Sequence, residues 1–331
     1  MSTKAAVATM VGKGIDFRNL KRGGIFAGVS AAKYHGDPLP SASVNASTLH
    51  DLDAQSPRHA WVNHPRLNPA WSAGKSTSEQ DFGSAAHSAL MGAGKVEVVD
   101  AQNWQTDIAK SLRARARKND ATPILKRDWL RIQQMVTVLR QDLRSVDSPI
   151  PDVFDPKYGG VPEVMAAWQQ DGIWCRARAD WWIGAKQKAM FAPNGIIVDY
   201  KTTGISCAEY AWIANAYRIG APYQAVWYPH GFFEALKQSE SATTLNAPPR
   251  FLFIVQETFE PFAHNVFELS DVAITQAEGD VVGAFNRWHA CITTGEWPKY
   301  PRRVCQVDPP AWKVRDSEMR RIVGDTMNKP L

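Results

Sequence analysis

The strongest constraint on this chain is a strand-rich centre. Three runs carry it: "GIWCRARADWWIG" (172–184), "GIIVDYKTT" (195–203) and "RFLFIVQET" (250–258). Branched and aromatic residues fill all three, and the first alternates with the period of two that a pleated strand imposes. Alternation puts Arg176, Arg178 and Asp180 on one face and Cys175, Ala177, Ala179 and Trp181 on the other. The first two runs flank the turn-forming "GAKQKAMFAPNG", so they read as a hairpin.

Helical patterns lie on both sides of this centre. "SASVNASTLHDLDAQSPRHAW" (41–61) opens with a cap at Asn45 or Ser47, presents Leu49 and Leu52, and is stopped by Pro57. "DFGSAAHSALMG" (81–92) packs Ala85, Ala89 and Leu90 inward. Residues 103–146 read as helix in two parts, the first basic on most faces, the second with Trp129, Ile132, Met135, Val136 and Leu139 at helical spacing. "VPEVMAAW" is a short helix or an edge strand. "SCAEYAWIANAY" (206–217) and the segment opening at "GAPYQAVWY" (220–228) are helices. A long amphipathic helix follows over 271–295, stopped by Gly295 and Pro298. Such an order predicts an α/β domain, a mixed central sheet flanked by helices. The expected organisation is an N-terminal arm (1–40), the domain (41–305) with a helical insertion at about 93–160, and a C-terminal tail (306–331).

Composition narrows the setting. The 331 residues are 44% hydrophobic and 21% charged, the proportions of a soluble globular protein. The formal net charge of +5 favours polyanionic partners mildly, and it is unevenly spread: Lys110 to Arg131 holds eight Lys/Arg and two Asp. Cys175, Cys207, Cys291 and Cys305 form no CxxC pair, which argues against zinc and for a reduced, cytoplasmic compartment. No apolar run approaches a membrane span, and "AAVATMV" (5–11) is too short for a signal peptide.

The second strand ends by placing Asp199 and Lys201 one residue apart, on the same face. An ion pair at the inner end of a core strand gains little, because desolvation can cost as much as the attraction returns. Asp180 on the partner strand can reach the same place. Two neighbouring carboxylates repel and do not both stay ionised without a cation between them. Oxygen ligands favour Mg²⁺ or Mn²⁺ over zinc. A strand-end salt bridge is the plainer alternative. A second Asp-x-Lys, Asp155-Pro-Lys157, sits in a proline-rich loop with no strand to support it.

The array of Asp180, then Asp199-Tyr200-Lys201, then Gln224-x-x-x-Tyr228 resembles the PD-(D/E)xK nuclease superfamily, in particular its RecB/RecE-type exonucleases. "FGSAAHSALMG" resembles the family's glycine-to-histidine motif, "VPEVMAAW" its glutamate-bearing segment, and "TTGEWPKYP" (293–301) a tryptophan–proline closing turn. The likeness spans about residues 36–301. It implies a restriction-endonuclease-like core with Asp180, Asp199, the Tyr200 carbonyl and His87 as metal ligands. Lys201 would position or activate the attacking water, and Glu163 would bind a second metal or orient water. Gln224 and Tyr228 would hold the Lys201 strand or touch a DNA phosphate. The motif reads Ala179-Asp180 rather than Pro-Asp, a departure that this branch tolerates. The cysteines do not match relatives that carry an iron–sulfur cluster, so none is expected.

Arg113, Arg115 and Arg117 lack i,i+4 acids and are candidates for phosphate contact; a solvated helix face is the alternative. Arg176 and Arg178 either bind the scissile strand or neutralise the site. The resemblance implies metal-dependent 5′→3′ degradation from duplex DNA ends, a single-strand annealing recombinase as partner, and a homo-oligomeric ring. Two other readings stand beside it: a structure-specific or restriction-type endonuclease on the same fold, and a non-catalytic single-strand binder that uses exposed tryptophans as stacking platforms.

Overall fold

The computed structural model describes residues 10–11, 14–74, 76–185, 191–239 and 245–327. The elements preceding the central strands are β1 (Met10–Val11), β2 (Gly24–Ala27), α1 (Ala31–His35), α2 (Ala46–Ala54), α3 (Pro57–Asn63), α4 (Ser78–Met91), β3 (Val96–Val99), α5 (Asp107–Lys118), β4 (Thr122–Leu125) and α6 (Lys126–Leu143). The centre comprises β5 (Val161–Gln170), β6 (Ile173–Ile183) and β7 (Ile196–Thr203). After it come α7 (Glu209–Arg218), α8 (Ala221–Gln238), β8 (Arg250–Glu257), β9 (His264–Phe267), α9 (Asp271–Thr294) and α10 (Ala311–Met327).

Local chemistry sets most boundaries. The Asn45 side chain accepts the Thr48 N–H and caps α2, while Pro57 begins α3 rather than merely stopping α2. A reciprocal capping box between Thr77 and Gln80 starts α4, and Gly92, at φ +69°, ends it. The loop between β6 and β7 includes residues 186–190, which lie outside the described residues.

Seven strands form a mixed sheet in the order β1-β2-β5-β6-β7-β8-β9. The pairs β1–β2 and β7–β8 are parallel; the others are antiparallel. Residues 161–170 are therefore a strand flanked on both sides, not a helix or an edge. Residues 14–40, expected as an arm, contribute β2 to the sheet and pack Phe17, Phe26, Tyr34 and Leu39 against Met165 and Trp174. The segment 93–160 is helical in two parts as its periodicity predicts, but β3 and β4 add a small parallel sheet. One sheet face is covered by α2, α7, α8 and α9 around Trp168, Trp182, Trp227 and Trp288. The other is covered by α4 and α6 around Ile132, Met135, Tyr200 and Leu252. Gly231 lets α8 lie close to the sheet, since a Cβ there would meet the Trp168 ring at 2.3 Å.

Two irregularities position the site. β6 and β7 pair only through Trp181–Ile183 with Val198–Ile196, then diverge. Val44 fills part of the edge that β7 leaves, taking the Arg176 N–H and donating to the Trp174 carbonyl. Asp180 lies in the resulting fork. The second irregularity is at Glu163, which faces Asp180 across the β5–β6 ladder and has a left-handed φ of +53°. Alternation resets there in both strands: Val161 and Val164, and Ala179 and Trp182, all face the same core. Trp181 consequently packs against Phe154 on the opposite face from Ala177 and Ala179, contrary to simple alternation.

The chain divides into residues 1–298 and 299–331. The second part carries α10, and its residues up to Arg321 are exposed. Among the described residues, no helix is long and apolar enough to cross a membrane.

Candidate active site

Asp199 and Lys201 sit on the α8-facing side of β7, because Ile196, Val198 and Tyr200 take the other side into the α4–α6 core. Tyr200 locks this register: its hydroxyl donates 2.7 Å to Gln256, whose amide donates to the Met135 and Phe262 carbonyls. Lys201 Nζ lies 2.5 Å from Asp199 Oδ2. The lysine side chain is 21% exposed and the aspartate 5%, so the ammonium sits at the cavity mouth with the carboxylate beneath it. Asp199 Oδ2 is buried and, despite that contact, makes no hydrogen bond of proper geometry.

Asp180 enters from the fork. One of its oxygens, Oδ2, accepts the Tyr200 N–H at 3.0 Å, in place of a backbone carbonyl that the diverging strand no longer offers. The same oxygen accepts from His87 Nε2 at 3.0 Å. His87 Nδ1 lies 2.7 Å from the Gly83 carbonyl one turn earlier in α4, and the ring meets Tyr200 edge-on. Both nitrogens thus face acceptors, which suits an imidazolium. Burial opposes that charge, but Asp180, the Gly83 carbonyl and Asp199 together outweigh it and raise the His87 pKa to about 9. Burial would likewise push the Asp180 carboxyl up; His87, Lys201 and the Tyr200 N–H together hold it below the usual range. Asp199 goes the other way: burial, reinforced by the Asp180 charge, exceeds the pull of Lys201 and raises it. Two carboxylates with opposed shifts, each affecting the other, share one site.

These groups line a cavity of about 360 Å³ with Tyr34, His35, Asn45, Gln224 and Tyr228. The last two are linked, the Gln224 amide donating to the Tyr228 hydroxyl at 3.4 Å. Sequence reading left Tyr34 and His35 outside the site because they fall in the presumptive arm; the short capped run "SAAKYHG" is the signal that could have placed them. An adjoining cavity of about 600 Å³ shares His35, His87, Arg178 and Asp180 and adds Glu163. A larger one, about 1100 Å³, lies at the far end of β8 beside Arg250 and Phe251 and holds none of the site acids. The candidate acids Asp180, Asp199 and Glu163 all line the smaller pair.

Several arginines expected at DNA pair with protein acids, although Arg117 also lines the cavity of about 600 Å³. Arg176 is 2% exposed; its Nη1 donates to the Ser43 carbonyl and hydroxyl and lies 3.3 Å from Asp37. It is sealed behind residues 34–43, which sequence analysis left outside the core. Arg113 and Arg117 both pair with the buried Asp81 of α4, at 2.7 and 2.9 Å, and Arg115 with Glu97 of β3 at 2.5 Å. Their acids are distant in sequence, which the absence of i,i+4 partners could not reveal. Arg178 faces the cavities, Nη2 2.9 Å from Glu163 Oε1.

Among the described residues, no group of three or more His, Cys, Asp or Glu is arranged to hold a metal ion. The donor set nevertheless fits a hard divalent cation. Two carboxylates line one cavity, the buried Asp199 Oδ2 meets the Lys201 ammonium without hydrogen-bond geometry, and Tyr200, whose carbonyl is a further oxygen donor, directly follows Asp199 in the chain. All four cysteines are free.

No protein-family model and no curated protein matches the sequence. Among solved structures, the chain is similar to one from Eubacterium rectale described as "Putative exonuclease", at 12% identity and a TM-score of 0.49, over 87% of this chain and 96% of that one.

Proposed function

We propose that the protein is a divalent-cation-dependent deoxyribonuclease of the PD-(D/E)xK type. The observation that carries this reading is the convergence of Asp180, Asp199 and Lys201 on one cavity at the β6–β7 fork. Asp180, Asp199 and the Tyr200 carbonyl would hold Mg²⁺ or Mn²⁺, with His87 as a further ligand once its proton is lost. When bound, such an ion supplies Lewis-acid stabilisation of the phosphate and a water of lowered pKa. Lys201 keeps an ammonium at the cavity mouth, where it can orient water or offset charge that develops on the phosphoryl group. Gln224 and Tyr228 bound the cavity from α8 and offer an amide and a hydroxyl to the strand.

The substrate is proposed to be duplex DNA with a free end, degraded 5′→3′ to supply a single-strand annealing recombinase in the cytoplasm, by a protein acting as a homo-oligomer. Digestion of duplexes labelled at one 5′ or one 3′ end, with Mg²⁺ and with EDTA, tests this. Loss of label in the order expected from one end, abolished by EDTA, is the expected result. Cleavage of covalently closed circles as fast as linear duplex would turn the reading to an endonuclease. Unaltered DNA in every lane would leave a binding protein.

A further inference from the structure

The cavity beyond Asp180 is unassigned by the reading above, and so is the acid–base pair that separates it from the catalytic one. Glu163 stands at the single position where the β5–β6 ladder lapses, in a left-handed conformation that non-glycine residues seldom adopt. Strain of this kind persists only where surrounding structure imposes it, and it clusters at functional sites. The turned backbone places the Glu163 carboxylate beside Arg178, across the strand and two residues along. Glu163 lines the larger cavity and is absent from the lining of the one that holds Asp199 and Lys201. That location does not suit a residue that activates water at Lys201.

Arg178 lines both cavities, with His35, His87 and Asp180 as the other shared residues. Its side chain is 13% exposed. Nε and Nη2 are buried, Nη2 against the Glu163 carboxylate, so Nη1 is the guanidinium nitrogen left to meet a ligand in the cavities. A phosphodiester oxygen is the acceptor that such a guanidinium takes up in a charge-assisted hydrogen bond.

Resting on the nuclease reading, we infer that the larger cavity is a second nucleotide subsite. Arg178 grips one phosphodiester where the strand passes Asp180, and Glu163 is the positioning residue that holds the guanidinium. Glu163 is thereby removed from the metal-binding and base roles that its place in the sequence suggests.

The test reads binding apart from cleavage. A short labelled duplex, carrying one neutral methylphosphonate walked inward from the end linkage by linkage, is titrated with the full chain in EDTA. Wild type should lose about tenfold in affinity at one linkage, the worth of a charge-assisted hydrogen bond. Arg178→Gln should bind the unmodified duplex about tenfold more weakly and show no further loss at that linkage. If Arg178→Gln melts below the assay temperature, Arg178→Lys reads the same profile, flattened because an ammonium lacks the fork. In Mg²⁺, Glu163→Gln should raise KM with kcat nearly unchanged. A linkage-specific loss that survives in the arginine variants, or a Glu163→Gln enzyme whose kcat collapses at unchanged affinity, overturns the inference. Failure of wild type to cut any DNA would sink the nuclease reading alone, since the methylphosphonate profile in EDTA still decides the subsite.

Discussion

Two charge clusters lie four residues apart on β6, and they are built on opposite terms. Around Arg176, every charged or polar partner is sealed: Asp37, Ser43, His64 and Arg176 are between 0% and 2% exposed. Asp37 accepts the Ser43 hydroxyl on one oxygen and the Ser43 N–H on the other, with Arg176 and His64 at 3.3 and 3.5 Å. Around Asp180, the side chains are 20–28% exposed at Asp180 and His87, and 21% at Lys201. The difference teaches how to separate a structural ionic network from a chemical one. A closed network spends its interactions on itself and fixes the chain, here tying residues 37–64 to the sheet. An open one keeps its charged groups within reach of something that binds.

The two histidines repeat the contrast. His64 donates Nε2–H to the Ser43 carbonyl and accepts the Arg66 N–H on Nδ1, a neutral tautomer. Burial lowers its pKa to about 4. His87 has acceptors at both nitrogens and is raised.

The sharpest way to break this comparison is to remove one charge from each cluster. Asp199→Asn and Lys201→Ala should lower the rate of duplex degradation by about 10²–10³-fold or more. Asp199→Asn should leave urea-unfolding stability within about 1 kcal/mol of wild type, because burial already disfavours that carboxylate. Retained digestion by purified Lys201→Ala would refute the site.

Asp37→Asn should do the reverse. It keeps a residue that tolerates the φ of +52° but leaves Arg176 without its counter-charge. A loss of about 3–5 kcal/mol in urea unfolding is expected, with unchanged activity per folded molecule. A stable Asp37→Asn protein that no longer cuts DNA would erase the distinction between the clusters.

A smaller effect comes from His64. Its folded pKa lies below the unfolded value near 6.5, so the native state binds fewer protons between the two. The contribution is complete above about pH 6.5 and is lost as pH falls toward 4, at most about 3 kcal/mol. His64→Gln, which can still donate to the Ser43 carbonyl, should flatten the stability–pH curve in that window. An unchanged curve would show that His64 binds protons equally in the folded and unfolded states.

The smallest effect is expected at α5. Arg115→Ala removes a largely exposed pair with Glu97 and should cost less than about 1 kcal/mol. DNA affinity, measured by anisotropy, should not change; a clear drop would restore α5 to the DNA-binding surface.

Much of the fold was legible because local rules and tertiary packing agree. The periodicity of α6 and α9, the caps at Asn45 and Gly295, and the branched runs of β7 and β8 all point where the chain goes. The site was legible in part. Period two placed Asp199 with Lys201, and the hairpin brought β6 to β7. Residues 14–40 were not legible, since β2 is four residues long and gains its stability from Met165 and Ala167 on a strand far along the chain.

What the sequence alone determined is which side chains alternate along β7 and which helices carry an apolar face, for these depend on backbone period and on nearest neighbours. What only the tertiary structure decided is which charges are closed off and which are open. Arg113, Arg117 and Arg176 found acids 32, 36 and 139 positions away, and a strained Glu163 reset the facing of two strands at once. Electrostatic partnership acts through space over a few ångströms, whereas a sequence orders residues by chain distance, and the two measures coincide only within a turn or a hairpin.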